Sequence, residues 1–280
     1  MAFLSFSGRR TAKSIVCVVA ITAVTLIFPA KSRSQSASDD DTSRIEANPG
    51  RPTVSTPATL TPPGYFQLET GVLGAQHSGE FSNRTGISAV GKLSINRRFE
   101  LLVQTEPVAF SDLGTRTEAE PGEVFAGVQA MIHRGEGLHP TVSVSYFRRL
   151  YASPAPELDI GTNRQSALLL VSFDVHRFHV DTNGIVTEQI SDQIGVHRAQ
   201  FGQTLSISHP LIRHVAIAGE IWHFTQPLIK SNAVGFLLAP SYTVNRFLVL
   251  DGGFDRGLTS TSTRSEVFVG LTYLLPKRLW

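Results

Sequence analysis

The chain has 280 residues, 41% of them hydrophobic, with 23 glycines and 17 phenylalanines. That composition excludes a helical membrane bundle, since a span of the ~30 Å hydrocarbon core needs about twenty consecutive apolar residues and only one run, near the N-terminus, approaches this. The formal charge is +2, but residues 1–36 hold five of the 25 basic residues and none of the 23 acids, so the rest carries −3 and no nucleic-acid partner is expected.

Arg9, Arg10 and Lys13 precede the nearly uncharged apolar stretch from Ile15 to Ala30. Small-x-small exits follow at Ala30–Ser32, Ser32–Ser34 and Ser34–Ser36. The pattern reads as a signal peptide over residues 1–36, with the cleavage point open between 32 and 36. An uncleaved inner-membrane anchor is the alternative, for which the apolar core is short. The single cysteine, Cys17, lies inside the leader with no lipobox before it, so the mature chain has no thiol for a disulfide, a metal or a nucleophile.

Residues 37–63 are polar and interrupted by Pro49, Pro52, Pro57, Pro62 and Pro63, which remove backbone donors. This predicts a disordered stub followed by an extended periplasmic arm that does not join a sheet. Across the mouth of a barrel, such an arm restricts flow, with Glu69 as its anchor and Arg51 as the charge partner; a solvated tether is the other reading.

From Gly64 onward the apolar residues recur with period two, the repeat of a strand with two unlike faces. Ile87, Ala89, Gly91, Leu93 and Ile95 suit lipid, while Ser88, Val90, Lys92, Ser94 and Asn96 suit a lumen. Similar segments at Phe99–Glu106, Val124–His133, Thr141–Arg149, Gln165–Val175, Phe178–Glu188, Arg198–Ser208, His214–Phe224, Ala233–Val244, Phe247–Asp255 and Ser265–Leu275, with Gly64–Ala75 in front, make about twelve strands. Connections alternate long and short: Ala109–Gly122 and Tyr151–Asn163 are long, while Asn96–Arg98, His176–Arg177 and Asn245–Arg246 are turns. An all-β, antiparallel transmembrane barrel over residues 64–280 follows, with short turns in the periplasm and long loops outside. A soluble sandwich or lipocalin-like barrel would also alternate, but would crowd charges on one face of each strand.

The stretch Pro49–Gly71 resembles the opening of the meta-pathway phenol-degradation family of outer-membrane transporter barrels. The resemblance rests on Arg51-Pro52, Pro62-Pro63-Gly64, and Phe66, Gln67, Leu68, Glu69 and Gly71, with weaker matches at Phe178–Asn183 and Leu250–Gly257. It implies a barrel in the outer membrane of a Gram-negative cell, helped in by the barrel-assembly machinery, in contact with outer-membrane lipid and admitting small hydrophobic or aromatic solutes.

Alternation assigns Glu69, Glu100, Glu106, Asp174, Asp181, Glu220, Asp251 and Glu266 to the lumen, with Lys92 and Arg198 as cations. Two readings stand: an acidic constriction that selects solutes, or a filled interior of paired charges. Phe125, Phe147, Trp222 and Phe224 are candidate solute contacts at the outer mouth, and Phe66, Phe99 and Phe178 belong to an interfacial girdle. Six histidines (133, 139, 176, 179, 209 and 214) follow the turns rather than a ligand spacing, so no metal or cofactor is expected. Catalytic motifs are missing; an outer-membrane phospholipase-like enzyme, with Ser206 and His209 as its crowded pair, and a purely structural barrel remain alternatives.

Overall fold

Period-two alternation of β-branched and aromatic residues with Ser, Thr and Gln makes each segment suited to a strand with one apolar and one polar face. The computed structural model describes residues 45–113, 117–156, 162–191 and 195–280; the expected signal peptide over residues 1–36 and the start of the expected stub, up to residue 44, lie outside them. The strands are β1 (Phe66–Gln76), β2 (Asn83–Ser94), β3 (Phe99–Asp112), β4 (Thr117–Glu120), β5 (Val124–His133), β6 (Thr141–Tyr151) and β7 (Thr162–Val175). They continue with β8 (Phe178–Ser191), β9 (Val196–Ile212), β10 (Val215–Gln226), β11 (Ser231–Asn245), β12 (Leu248–Gly257) and β13 (Ser265–Leu274).

Twelve of these form a closed antiparallel wall: β1 pairs with β13 on one side and β2 on the other, which removes both sheet edges. The remaining strand, β4, pairs only with the outer end of β3, from Ala109 opposite Glu120 to Asp112 opposite Thr117. Residues 109–112, expected to begin a loop, therefore extend β3. The cause is a register shift where Ile87 pairs with Val108 but Ala89 with Thr105. The one extra residue on β3 flips the alternation, so that Leu102 faces inward below the shift and Ala109 and Ser111 above it.

The wall is apolar outside and polar inside. Outward Ile221 and Val269 are each 62% exposed, whereas inward Gln67, Ser94, Ser143 and Thr272 are fully buried. Water would penalise this arrangement along the whole outer face, while hydrocarbon stabilises it, so the wall is built to sit in a bilayer. Phe99 and Phe178 stand half exposed at the short-turn end. After β13 the chain continues as a tail whose Leu279 N–H bonds to the Gly64 carbonyl at 2.8 Å, so the last strand ends at Leu274, one residue before its expected limit.

Candidate functional site

The short-turn half of the lumen is occupied by residues 45–63. This segment forms no strand of its own and makes a circuit around the inside of the wall. Asn48 N–H bonds to Gln67 of β1 at 2.8 Å, and Gly50 N–H to Glu69 Oε1 at 2.9 Å. Arg51 reaches Asp251 of β12 at 3.2 Å and Ser88 of β2 at 3.2 Å. Val54 and Ser55 N–H groups meet the Glu220 carboxylate of β10 at 2.6 and 2.7 Å, and Ser55 Oγ also contacts Thr204 of β9.

The circuit continues through Thr56 N–H to Asn183 of β8 at 2.7 Å and Ala58 N–H to Ser172 of β7 at 2.7 Å. Ser143 of β6 and Gln129 of β5 donate to the Ala58 carbonyl, and Thr61 bonds to Glu100 of β3. Among the described residues, ten of the twelve wall strands thus hold the arm by a hydrogen bond or ion pair, and β13 offers the Phe268 ring, 5.7 Å from the Arg51 guanidinium. Prolines in the segment leave carbonyls but few donors, so inward-facing hydroxyls and amides of the wall complete its hydrogen bonding.

These contacts set the environment of the candidate charges. Glu69 is buried and paired with Lys92 at 2.5 Å, in addition to Gly50. The expected partner of Glu69, Arg51, instead pairs with Asp251. Gly71 and Gly270 lie opposite one another on β1 and β13, and a Cβ on either would come within 2.7 Å of the guanidinium. Two glycines therefore open the slot that steers Arg51 past Glu69. Glu220 and Glu100 are satisfied by the arm, and Glu106 by a two-pronged bond from Arg84. Arg84 is a buried inward cation absent from the sequence reading, because its strand begins four residues earlier than the alternation suggested.

The other assigned charges lie nearer the rims. Asp181 accepts a bond from Ser172, and His179 lies between Asp181 and Asp174, with Asp174 itself exposed at the short-turn end. Glu266 sits beside Ala75 at the long-loop end of β13. Arg198 has the inward parity and stands exposed at the outer end of β9, where it donates to the His197 carbonyl. Ser206 faces the lumen close to the Glu220 level while His209 packs against the outward Phe178 ring at 4.7 Å; opposite faces of β9 keep them apart.

Three of the four aromatic candidates lie flat on the wall. A Cβ on Gly127 would strike Phe147, one on Gly202 would strike Phe224, and one on Gly235 would strike Trp222. Each ring fills the space that a neighbouring strand's glycine leaves. Trp222 also donates its Nε1–H to Asp255 at 2.7 Å and meets Phe224 at 6.0 Å between ring centroids. Phe125 is placed differently. It lines a cavity of about 290 Å³ with Arg84, Ser88, Gln104, Glu106 and Pro156, on the long-loop side of the arm. Ser88, which receives Arg51, belongs to its floor, and Pro156 accepts a bond from Arg84 Nε at 2.9 Å. At that size the cavity is at the small end of ligand sites.

No family model matches the sequence, and no curated protein matches it either. In structure the chain is similar to an outer membrane channel from Pseudomonas putida F1, with a TM-score of 0.57 at 11% identity, covering 82% of this chain and 100% of that one. The fold is that of an outer-membrane β-barrel. The NanC porin is also similar, with a TM-score of 0.53 at 9% identity over 73% of this chain and 98% of the porin. At such identities the likeness is one of architecture, and it agrees with the barrel implied by the resemblance of Pro49–Gly71.

Proposed function

We propose that the protein is an outer-membrane channel that admits small aromatic or other hydrophobic compounds, with the Pro-rich arm as its constriction and the cavity beside Phe125 as the entry site. The observation that carries this reading is that the two meet at Ser88: it accepts a hydrogen bond from Arg51 of the arm and also lines the cavity, whose other walls include Gly122, Glu123, Ser153 and Pro156 from the long-loop end. Phe125 offers an apolar face, while Arg84 pairs with Glu106 and the other lining carboxylate, Glu123, pairs with Arg149, so a neutral solute meets no unpaired charge there.

Single-channel recording of the refolded protein tests the reading, with and without aromatic solutes. The intact chain should show a small conductance that such solutes interrupt. Deleting residues 37–60 should raise it severalfold while heat-modifiability on gels is kept. Unchanged conductance in the folded deletion variant would reduce the arm to a tether; fatty-acid release from dispersed phospholipid would favour the enzyme instead.

A further inference from the structure

Each of the five short turns carries arginine. Arg97 and Arg98 join β2 to β3, Arg134 lies between β5 and β6, Arg177 between β7 and β8, Arg213 between β9 and β10, and Arg246 between β11 and β12. All six are exposed, and the same turns contain a single acid, Glu136. The long-loop end has the opposite balance: its described loop residues and β4 include Glu80, Glu118, Glu120 and Glu123 against Lys230 and Arg264.

Height along the barrel axis is fixed by neighbouring rings. Arg98, Arg177 and Arg246 each directly precede a phenylalanine: Phe99 and Phe178 at the head of the next strand, and Phe247 one residue before β12. Phe99 and Phe178 are half exposed, and the Arg246 guanidinium lies 4.6 Å from the Phe247 ring centroid. Aromatic side chains in this position mark the edge of the hydrocarbon, so guanidinium groups one residue farther out stand at the level of lipid phosphates. Arginine is suited to this, because its planar fork matches a phosphodiester with two parallel hydrogen bonds.

We propose that the six turn arginines form a ring that docks anionic phospholipid headgroups of the periplasmic leaflet. Charge complementarity selects the occupant: a lipid with net negative charge is attracted by the whole ring, whereas a zwitterionic one presents a balancing ammonium to the same cations. The inference rests on a membrane barrel with its short turns in the periplasm, and is independent of what passes through the lumen.

Native mass spectrometry of the full-length refolded protein, released from micelles containing equal amounts of phosphatidylglycerol and phosphatidylcholine, provides the test. The wild-type chain should retain phosphatidylglycerol over phosphatidylcholine by about threefold or more. The triple variant Arg98→Gln, Arg177→Gln, Arg246→Gln should lose most of that preference, and the matching lysine variant should keep most of it. Folding is checked by heat-modifiability; if the glutamine variant does not fold, single substitutions and a salt titration of the wild type give the same readout, with the preference falling as salt rises. Equal retention of both lipids by the wild type, an unchanged preference in the folded glutamine variant, or displacement of phosphatidylglycerol by lipid A at these arginines overturns the proposal.

Discussion

Ser55 donates two hydrogen bonds to Glu220: its backbone N–H at 2.7 Å and its hydroxyl at 2.5 Å reach the same carboxylate oxygen. Val54 N–H takes the other oxygen at 2.6 Å, so one wall carboxylate holds a turn of the arm by three charge-assisted bonds. Replacing Glu220 with Ala removes all three acceptor contacts and strands two peptide donors. A loss of about 2–3 kcal/mol in unfolding free energy is expected, together with a noisier and larger single-channel current. A quiet, wild-type current in a folded Glu220→Ala protein would mean that the arm is held elsewhere.

Lys92 and Glu69 make a buried pair whose carboxylate also serves Gly50 and Gln67. Lys92→Met leaves that carboxylate without its cation, at an expected cost of about 3 kcal/mol in urea unfolding. Adding Glu69→Leu removes the stranded charge, so the double variant should recover part of the loss. A double variant less stable than the single one would show that Glu69 matters chiefly through the arm.

The facing glycines Gly71 and Gly270 leave room for Arg51, and a valine at either position closes that room. Gly270→Val should evict the guanidinium from Asp251 and loosen residues 45–55. Limited proteinase K digestion should then cut the arm of the variant at low dose and spare that of the wild type. Equal resistance of the two would argue that Arg51 is not what seats the arm.

Phe125 is the aromatic candidate that borders the cavity, whereas Phe147 and Phe224 cover glycines. Phe125→Ala should raise the aromatic-solute concentration needed to interrupt the current by up to about tenfold, with little change in unfolding. Phe224→Ala should do the reverse, lowering stability and leaving the block in place. Identical effects from the two would remove the distinction.

Leu205 lies near the middle of β9 and faces outward, almost half exposed. Leu205→Arg should destabilise the barrel in lipid vesicles by about 2–4 kcal/mol, and Leu205→Phe should be nearly neutral. An arginine tolerated there without cost would contradict a hydrocarbon surround.

Strand number, closure and facing were legible in the sequence because one physical rule, alternation between lipid and lumen, repeats in every wall strand. Where that rule slips, reading failed: the register shift opposite Glu106 hid the outer end of β3, and the late start assigned to β2 hid Arg84. Alternation also gives a face but not a depth, which is why the exposed rim position of Arg198 could not be told from that of the buried Lys92. The Arg51–Asp251 pair joins residues 200 positions apart, beyond any local pattern. Its one trace in the sequence is the pair of inward glycines, Gly71 and Gly270, whose meaning appears only when β1 and β13 are side by side.

The circuit of the arm also constrains the order of assembly. Its partners run from Gln67 near the start of the barrel to Asp251 in the penultimate strand, so a segment that precedes every wall strand in the chain is among the last to find its place. A wall lacking one strand, or closed in the wrong register, would present a ring of acceptors and donors that the arm cannot match. A fully seated arm therefore certifies a correctly closed barrel, and a half-built one leaves residues 45–63 as bait for periplasmic proteases.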